Sequence, residues 1–438
     1  MTNALTAVLM VLAVTLTTAR GADDYERPPI SYSQTTPANA VTRLQLRLDA
    51  GSATLAHEGQ LGYLPAVLAA FDVPISSQSL VFSKTSLQQR LIGPSNPRAV
   101  YFNDEVYIGY VRGGEVLEVS VADPLLGTVF YTLDQRETER PAFARQVDDC
   151  LICHGGSQTA GVPGHVIRSV YVDTSGQPIV SAGSHRVDHT TPFIRRFGGW
   201  FVTGTHGPQQ HLGNVTFRTR PEHDGVDDER GLNLVSVVDR FDAAGYPSPH
   251  SDLVAQMVLA HQVAAHNAIT RAGFSGRVAL HREAALNREL GEPPEHRWPS
   301  TTVVLDAAAV DLVECFLMAG EAALAAPVGG TTDFAKEFAA RGPTAADGRS
   351  LRDLDLVTRL FRHPCSFLVY SAGFAALPVE IRDRFWTRLD HVLAPAGGAD
   401  SCQHLTAADR AAIREILVAT HPAAATWQPF PVPAPTGR

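Results

Sequence analysis

The sequence predicts an α+β protein with a β-rich N-terminal half and a helical C-terminal half. Between residues 79 and 133, short runs rich in β-branched and aromatic residues are separated by Gly, Asn and Asp, as in an antiparallel sheet. Beyond about residue 250, apolar residues recur at helical spacing. The 438 residues are 45% hydrophobic and 18% charged, which is typical of a folded protein and excludes a fibrous or disordered chain.

Residues 1–22 have the composition of a signal peptide. An uncharged stretch from Ala4 to Thr18 precedes small residues and then Asp23 and Asp24. The apolar run is shorter than the roughly 20 residues of a membrane-spanning helix. No Lys or Arg precedes it, which departs from the usual pattern, so an uncleaved anchor and a buried helix remain alternatives. We expect an exported, periplasmic protein whose mature chain does not span a membrane.

The rest of the chain divides into five segments by composition. We expect a flexible lead-in at 23–40, an α+β domain at 41–145, a cofactor-binding segment at 146–230, a helical domain at 231–426 and a Pro-rich tail at 427–438.

The predicted elements follow in chain order. Two short helices at 40–48 and 61–71 precede strands at 79–82, 99–102, 106–111, 116–121 and 128–133. Further strand-like runs lie at 166–172, 178–181 and 199–205. The C-terminal helices are expected at 251–290, with a break at Gly273, and at 303–325, 380–393 and 406–419. The last of these begins with Thr406 and Asp409, which form a capping-box pattern.

The run Cys150-Leu-Ile-Cys153-His154 is the C-x-x-C-H pattern of covalent haem attachment. Two thiols three residues apart on a helical turn can form thioethers with the porphyrin, and the adjacent imidazole then reaches the iron as proximal ligand. With five Cys and 17 His in the chain, the pattern is expected about 0.002 times by chance. The sequence therefore predicts one covalent haem c, held by Cys150 and Cys153 with His154 on the iron.

Other uses of these cysteines are weighed against haem attachment. A zinc site would need two further ligands at finger-like spacing, and no second Cys pair exists. A redox dithiol would not require the adjacent histidine. Cys315 is expected to be a buried thiol, while Cys365 and Cys402 are a candidate disulfide in an oxidising compartment.

The ligand opposite His154 is sought among histidines and methionines. Gly-rich turns between residues 184 and 214 carry four imidazoles: His185, His189, His206 and His211. His206 follows a strand-like run and is our first candidate for the distal ligand, His189 the second. Met257 and His261, on one helix face, are further candidates, and a second metal held by several histidines stays open. Arg195 and Arg196 are candidate partners of the haem propionates.

Beyond the motif, the chain resembles exported bacterial single-haem c-type cytochromes, a group mostly of unassigned function. The resembling segments are LVFSKTS at 80–86, PRAVYFN at 97–103, DHTTPF at 188–193, GGW at 198–200, TGTHG at 203–207 and HPCS at 363–366. The resemblance covers much of the mature chain, and only the haem-attachment residues carry a role that it transfers. It implies one integrated haem protein and leaves the reaction open.

Three functions remain as expectations. The first is a periplasmic electron carrier that exchanges electrons with a redox partner protein; the others are a haem-dependent oxidoreductase of peroxidase or oxygenase type, with an open iron position, and a small-gas sensor. Simple carriers are smaller, so the length points to a partner surface or a small-molecule pocket. The net charge of -9, with only Lys84 and Lys336 as lysines, argues against binding to nucleic acid.

Overall fold

A six-stranded antiparallel sheet forms the centre of the N-terminal half. The computed structural model describes residues 24–219, 231–395 and 400–427. The strands follow one another in chain order as β1 (Ser79–Val81), β2 (Arg98–Phe102), β3 (Val106–Val111), β4 (Val116–Asp123), β5 (Gly127–Asp134) and β6 (Phe143–Gln146). The predicted α+β architecture, with a sheet in the N-terminal half and helices in the C-terminal half, is confirmed. The short edge strand β6 was not predicted.

Side chains of β4 alternate between the two faces of the sheet, and each face has different neighbours. Leu117, Val119 and Val121 are buried in one hydrophobic cluster with two helices, α1 (Ala40–Asp49) and α2 (Leu64–Ala70). The intervening residues of β4 face the opposite way, because side chains alternate along a strand. That second face carries the candidate site.

The predicted flexible lead-in is instead packed on the protein. Tyr32 is fully buried and its hydroxyl donates to the Thr128 carbonyl at 2.9 Å. Tyr25 and Ile30 are buried in the same cluster as the first face of the sheet. These apolar side chains outweigh the prolines from which flexibility was inferred. The signal-peptide prediction and residues 428–438 of the predicted tail lie outside the described residues.

The segment between the two halves contains little regular structure. It holds a short helix, α3 (Asp149–His154), and a two-stranded hairpin of β7 (Arg168–Val170) and β8 (Ser184–Arg186). The runs predicted as strands at 178–181 and 199–205 form a 3-10 turn and isolated bridges, respectively.

One long helix, α4 (Leu253–Leu290), organises the C-terminal half. The side chain of Asp252 accepts from the Val254 and Ala255 amides and caps its start. The predicted break at Gly273 does not occur. A Cβ at this position would lie 3.3 Å from the Leu377 side chain, so the glycine permits close packing rather than ending the helix.

The remaining helices pack around α4. They are α5 (Pro299–Phe316), α6 (Phe334–Ala339), α7 (Ala372–Ala375), α8 (Val379–Leu393) and α9 (Ala407–Thr420). α5 was predicted to continue to residue 325, but the chain turns at Met318, where φ is 58°. The capping box of Thr406 and Asp409 is confirmed. None of the described helices is apolar over enough of its length to cross a membrane.

Candidate haem attachment site

Helix α3 carries the whole C-x-x-C-H motif beside the second face of the sheet. Cys150 is half-buried and packs at the margin of the cluster that includes Leu151. Cys153 is exposed, and Ile152 is 79% exposed. The motif therefore extends from the margin of the protein interior to the surface over about one and a half helical turns.

The imidazole of His154 is held in one tautomer. Its Nδ1 lies 2.9 Å from the carbonyl oxygen of Gly164, and because a carbonyl only accepts, Nδ1 must carry the proton. Nε2 then keeps its lone pair. The centroid of the His154 ring lies 5.0 Å from that of the Phe130 ring. Burial lowers the pKa of His154, which favours the neutral form. A neutral imidazole with a lone pair on Nε2 is the form that binds iron.

The thiol of Cys150 is held in its protonated form. Burial raises its pKa to about 11, with further contributions from the charges of Glu118 and Asp149. A dithiol that carries out redox exchange needs a lowered thiol pKa, so this environment does not suit that alternative.

The motif does not form a compact metal site. The described residues contain no group of three or more His, Cys, Asp or Glu side chains placed to hold one metal ion. A zinc ion would need its ligands around one point. In haem attachment the two thiols bond the porphyrin edge and only the imidazole meets the iron, so the side chains of the motif fit haem better than zinc.

A partly buried ion pair lies on the same face of the sheet. Arg98 on β2 reaches across β3 to Glu118 on β4, with 2.6 Å between Nη2 and Oε2. The crossing is possible because Gly109 lies between them on β3, where any Cβ would collide with the guanidinium. The charge of Arg98 opposes that of Glu118 in setting the pKa of both Cys150 and His154. This pair was not singled out from the sequence, because it depends on strand register.

His165 is the second imidazole at the site. Its ring lies 6.4 Å from that of His154, and 4.1 Å from the ring of Tyr107. Its nitrogens bond hydroxyl groups, Nε2 with Ser120 Oγ at 2.7 Å and Nδ1 with Thr128 Oγ1 at 3.2 Å. Both nitrogens are thus engaged by the sheet. No motif in the sequence marks this residue.

The segments next to His154 and His206 are bonded to different positions on helix α4. The segment before His206 is tied to the start of α4, where the Leu253 amide donates to the Thr203 carbonyl at 2.9 Å. The loop beside His154 is tied to Asn267, farther along the same helix. At 1.5 Å per residue these anchor points are about 21 Å apart along the axis.

The two candidate distal ligands have other partners. The ring of His206 packs 4.8 Å from that of His211. The His189 ring lies 5.5 Å from that of His261, and its Nε2 donates to the Ala319 carbonyl at 3.2 Å. Among the described residues, the rings that pack near the proximal imidazole are those of Phe130 and His165, and neither candidate is one of them.

The other predicted site residues are also placed elsewhere. Met257 is buried in the core of the helical half, and His261 Nε2 lies 2.8 Å from Ser366 Oγ. Arg196 is buried and donates to the carbonyls of Thr191 and His189 at 2.7 and 3.1 Å, so its guanidinium is already used inside the protein. Arg195 is exposed.

The remaining cysteines carry free thiols. Cys365 and Cys402 are both buried and are not bonded to each other, so the candidate disulfide is not formed. Burial raises the pKa of Cys365 to about 12, which keeps its thiol protonated. Cys315, expected to be buried, is half-buried in α5.

Comparison of the chain with protein-family models, with curated proteins and with solved structures gives no significant match.

Proposed function

We propose that the chain is an exported c-type cytochrome with one covalently attached haem. Cys150 and Cys153 would hold the porphyrin through thioethers, and His154 would supply the proximal nitrogen. The observation that carries the proposal is the bond from His154 Nδ1 to the Gly164 carbonyl, which leaves Nε2 free for a metal on the helix that presents both thiols. Haem bound in this way supplies one-electron chemistry by cycling between ferrous and ferric iron.

The exposure of α3 favours electron transfer as the function. Ile152 is 79% exposed and Cys153 is exposed, so a porphyrin edge bonded to Cys153 would lie at the surface. Electrons pass between proteins only over short distances. A periplasmic redox partner that docks over α3 would therefore reach the haem without entering the fold.

A second candidate is an oxidoreductase or small-gas sensor with an open iron position. The observation that favours it is that both candidate distal ligands have partners of their own among the described residues: the His189 ring packs against that of His261, and the His206 ring against that of His211. With no strong sixth ligand, iron would be accessible to peroxide, oxygen or another small molecule.

One set of spectra separates the two candidates. Optical and paramagnetic resonance spectra of the purified holoprotein are recorded in both redox states, with and without carbon monoxide and peroxide. A low-spin, six-coordinate signal that these ligands leave unchanged supports the carrier. A high-spin signal that changes on their addition supports the open site, and a protein without any haem spectrum rejects both.

A further inference from the structure

The turn at Pro163, Gly164 and His165 is anchored from three directions. The Thr128 amide on β5 donates to the Pro163 carbonyl at 3.0 Å, and the Gly164 amide donates to the His154 carbonyl at 2.8 Å. The side chain of Asn267 provides the third anchor: its Oδ1 accepts from the His165 amide at 3.1 Å, and its Nδ2 donates to the His165 carbonyl at 2.8 Å. The turn is therefore fixed between β5, α3 and α4.

The same turn holds the proximal imidazole. The carbonyl of Gly164, one residue before the pair of bonds to Asn267, accepts the Nδ1 proton of His154 at 2.9 Å. A Cβ at Gly164 would collide with the Asn267 side chain, which shows how closely α4 approaches the turn. A hydrogen bond at Nδ1 sets both the orientation of a ligating imidazole and its electron donation to the metal.

We infer that Asn267 is a positioning residue that sets the reduction potential of the haem from the helical half of the protein. The inference rests on the proposed haem attachment. Loss of the Asn267 side chain frees the Gly164 carbonyl to move and weakens its bond to His154. A less strongly bonded imidazole donates less charge to iron, so the ferric state is stabilised less and the reduction potential becomes more positive.

The test compares two asparagines of α4 in the holoprotein. Asn267→Ala removes the anchor of the turn. Asn287→Ala is the matched control, since Asn287 lies on the same helix and its side-chain amide likewise donates to a backbone carbonyl, that of His296, at 2.8 Å. Asn287 lies about 30 Å farther along the helix at 1.5 Å per residue. Haem content, midpoint potential, paramagnetic spectrum and thermal stability are measured for each protein.

The expected result is a positive shift of the midpoint potential, with altered paramagnetic g-values, in Asn267→Ala only, while both variants retain covalent haem. Asn267→Ser, a milder uncharged change, should shift the potential in the same direction if the alanine variant does not mature. An unchanged potential in Asn267→Ala or Asn267→Ser, or an equal shift in Asn287→Ala, overturns the role of Asn267. Wild-type protein without covalent haem instead overturns the proposed function.

Discussion

At the scale of single residues, the buried His211 makes the stability of the fold depend on pH. His211 is fully buried, and its Nδ1 accepts from the Gly213 amide at 3.0 Å. Burial, with a smaller contribution from His206, lowers the pKa of His211 to about 3 from an ordinary value of 6.5. The folded chain therefore holds this imidazole neutral across the mildly acidic range.

The pH dependence of stability follows from that difference. The unfolded chain binds a proton on His211 below about pH 6.5, whereas the folded chain does so only near pH 3, so folded-state stability is lost as the pH falls through this window. Between pH 6 and 4 we expect His211→Gln to reduce the slope of the unfolding free energy against pH by about 1 kcal/mol per pH unit. Denaturant titration at several pH values measures the slope, and the exposed His281→Gln provides the control. An unchanged slope in His211→Gln would contradict this account.

Some residues of the site can be recognised from the sequence alone, and others cannot. Cys150, Cys153 and His154 are adjacent in sequence, so their pattern could be recognised directly. Asn267 meets the turn that holds His154 only through folding, because its amide comes from a helix about a hundred residues later. Local spacing carries no information on such a contact.

Among the elements, the three strands β2, β3 and β4 create the electrostatic surroundings of α3. The ion pair of Arg98 and Glu118 spans them, and each side chain is about one-fifth exposed, at 21% and 17%. Charges in such a setting are screened less than those in water. The sheet therefore places one positive and one negative charge where they act on Cys150 and His154, and where they would act on the iron of the proposed haem.

Removal of the negative charge and removal of the positive charge should move the haem potential in opposite directions. Glu118→Gln removes a negative charge that stabilises ferric iron, so we expect a more positive potential, and Arg98→Gln should give a more negative one. An effect on the order of 1 kcal/mol corresponds to about 40 mV for one electron. Redox titration measures it, with the exposed Glu115→Gln as a control for the same charge change. Shifts of the same sign in both variants would be inconsistent with a charge effect.

Element positions could be predicted where the pattern is local. The strand-rich region was predicted well because alternation and turn residues mark each strand; β3, for example, spans Val106–Val111 as expected. The end of α5 was misplaced, since its apolar run continues past Phe316 into a turn that is set by the backbone at Met318. Hydrophobic pattern alone does not distinguish a buried helix from a buried turn.

At the scale of the whole molecule, two hydrophobic clusters meet at the second face of the sheet. One joins the first face of the sheet to α1 and α2, and the other joins the helical half to residues of β2 and β3, including Phe102 and Tyr107. The turn at Gly164, which follows α3, is bonded to α4 through Asn267. The β-rich half would thus hold the haem, while the helical half would hold its proximal imidazole in place.

The relative placement of the two halves could not be predicted from the sequence, and this affects the distal ligand most. His189 and His206 were chosen because imidazoles are dense in that part of the chain, but the fold packs the His189 ring against His261 and the His206 ring against His211. Long-range packing, rather than composition, decides which of them could approach the iron of the proposed haem.

Covalent haem attachment is tested most directly by the intact mass of the denatured protein. Residues 1–438 are expressed in a bacterium competent for cytochrome maturation, beside a control in which Cys150 and Cys153 are both replaced by alanine. We predict a wild-type mass that exceeds that of the polypeptide by one haem and persists after denaturation, with no such increase in the control. A colourless wild-type protein with the mass of the bare polypeptide would contradict the account.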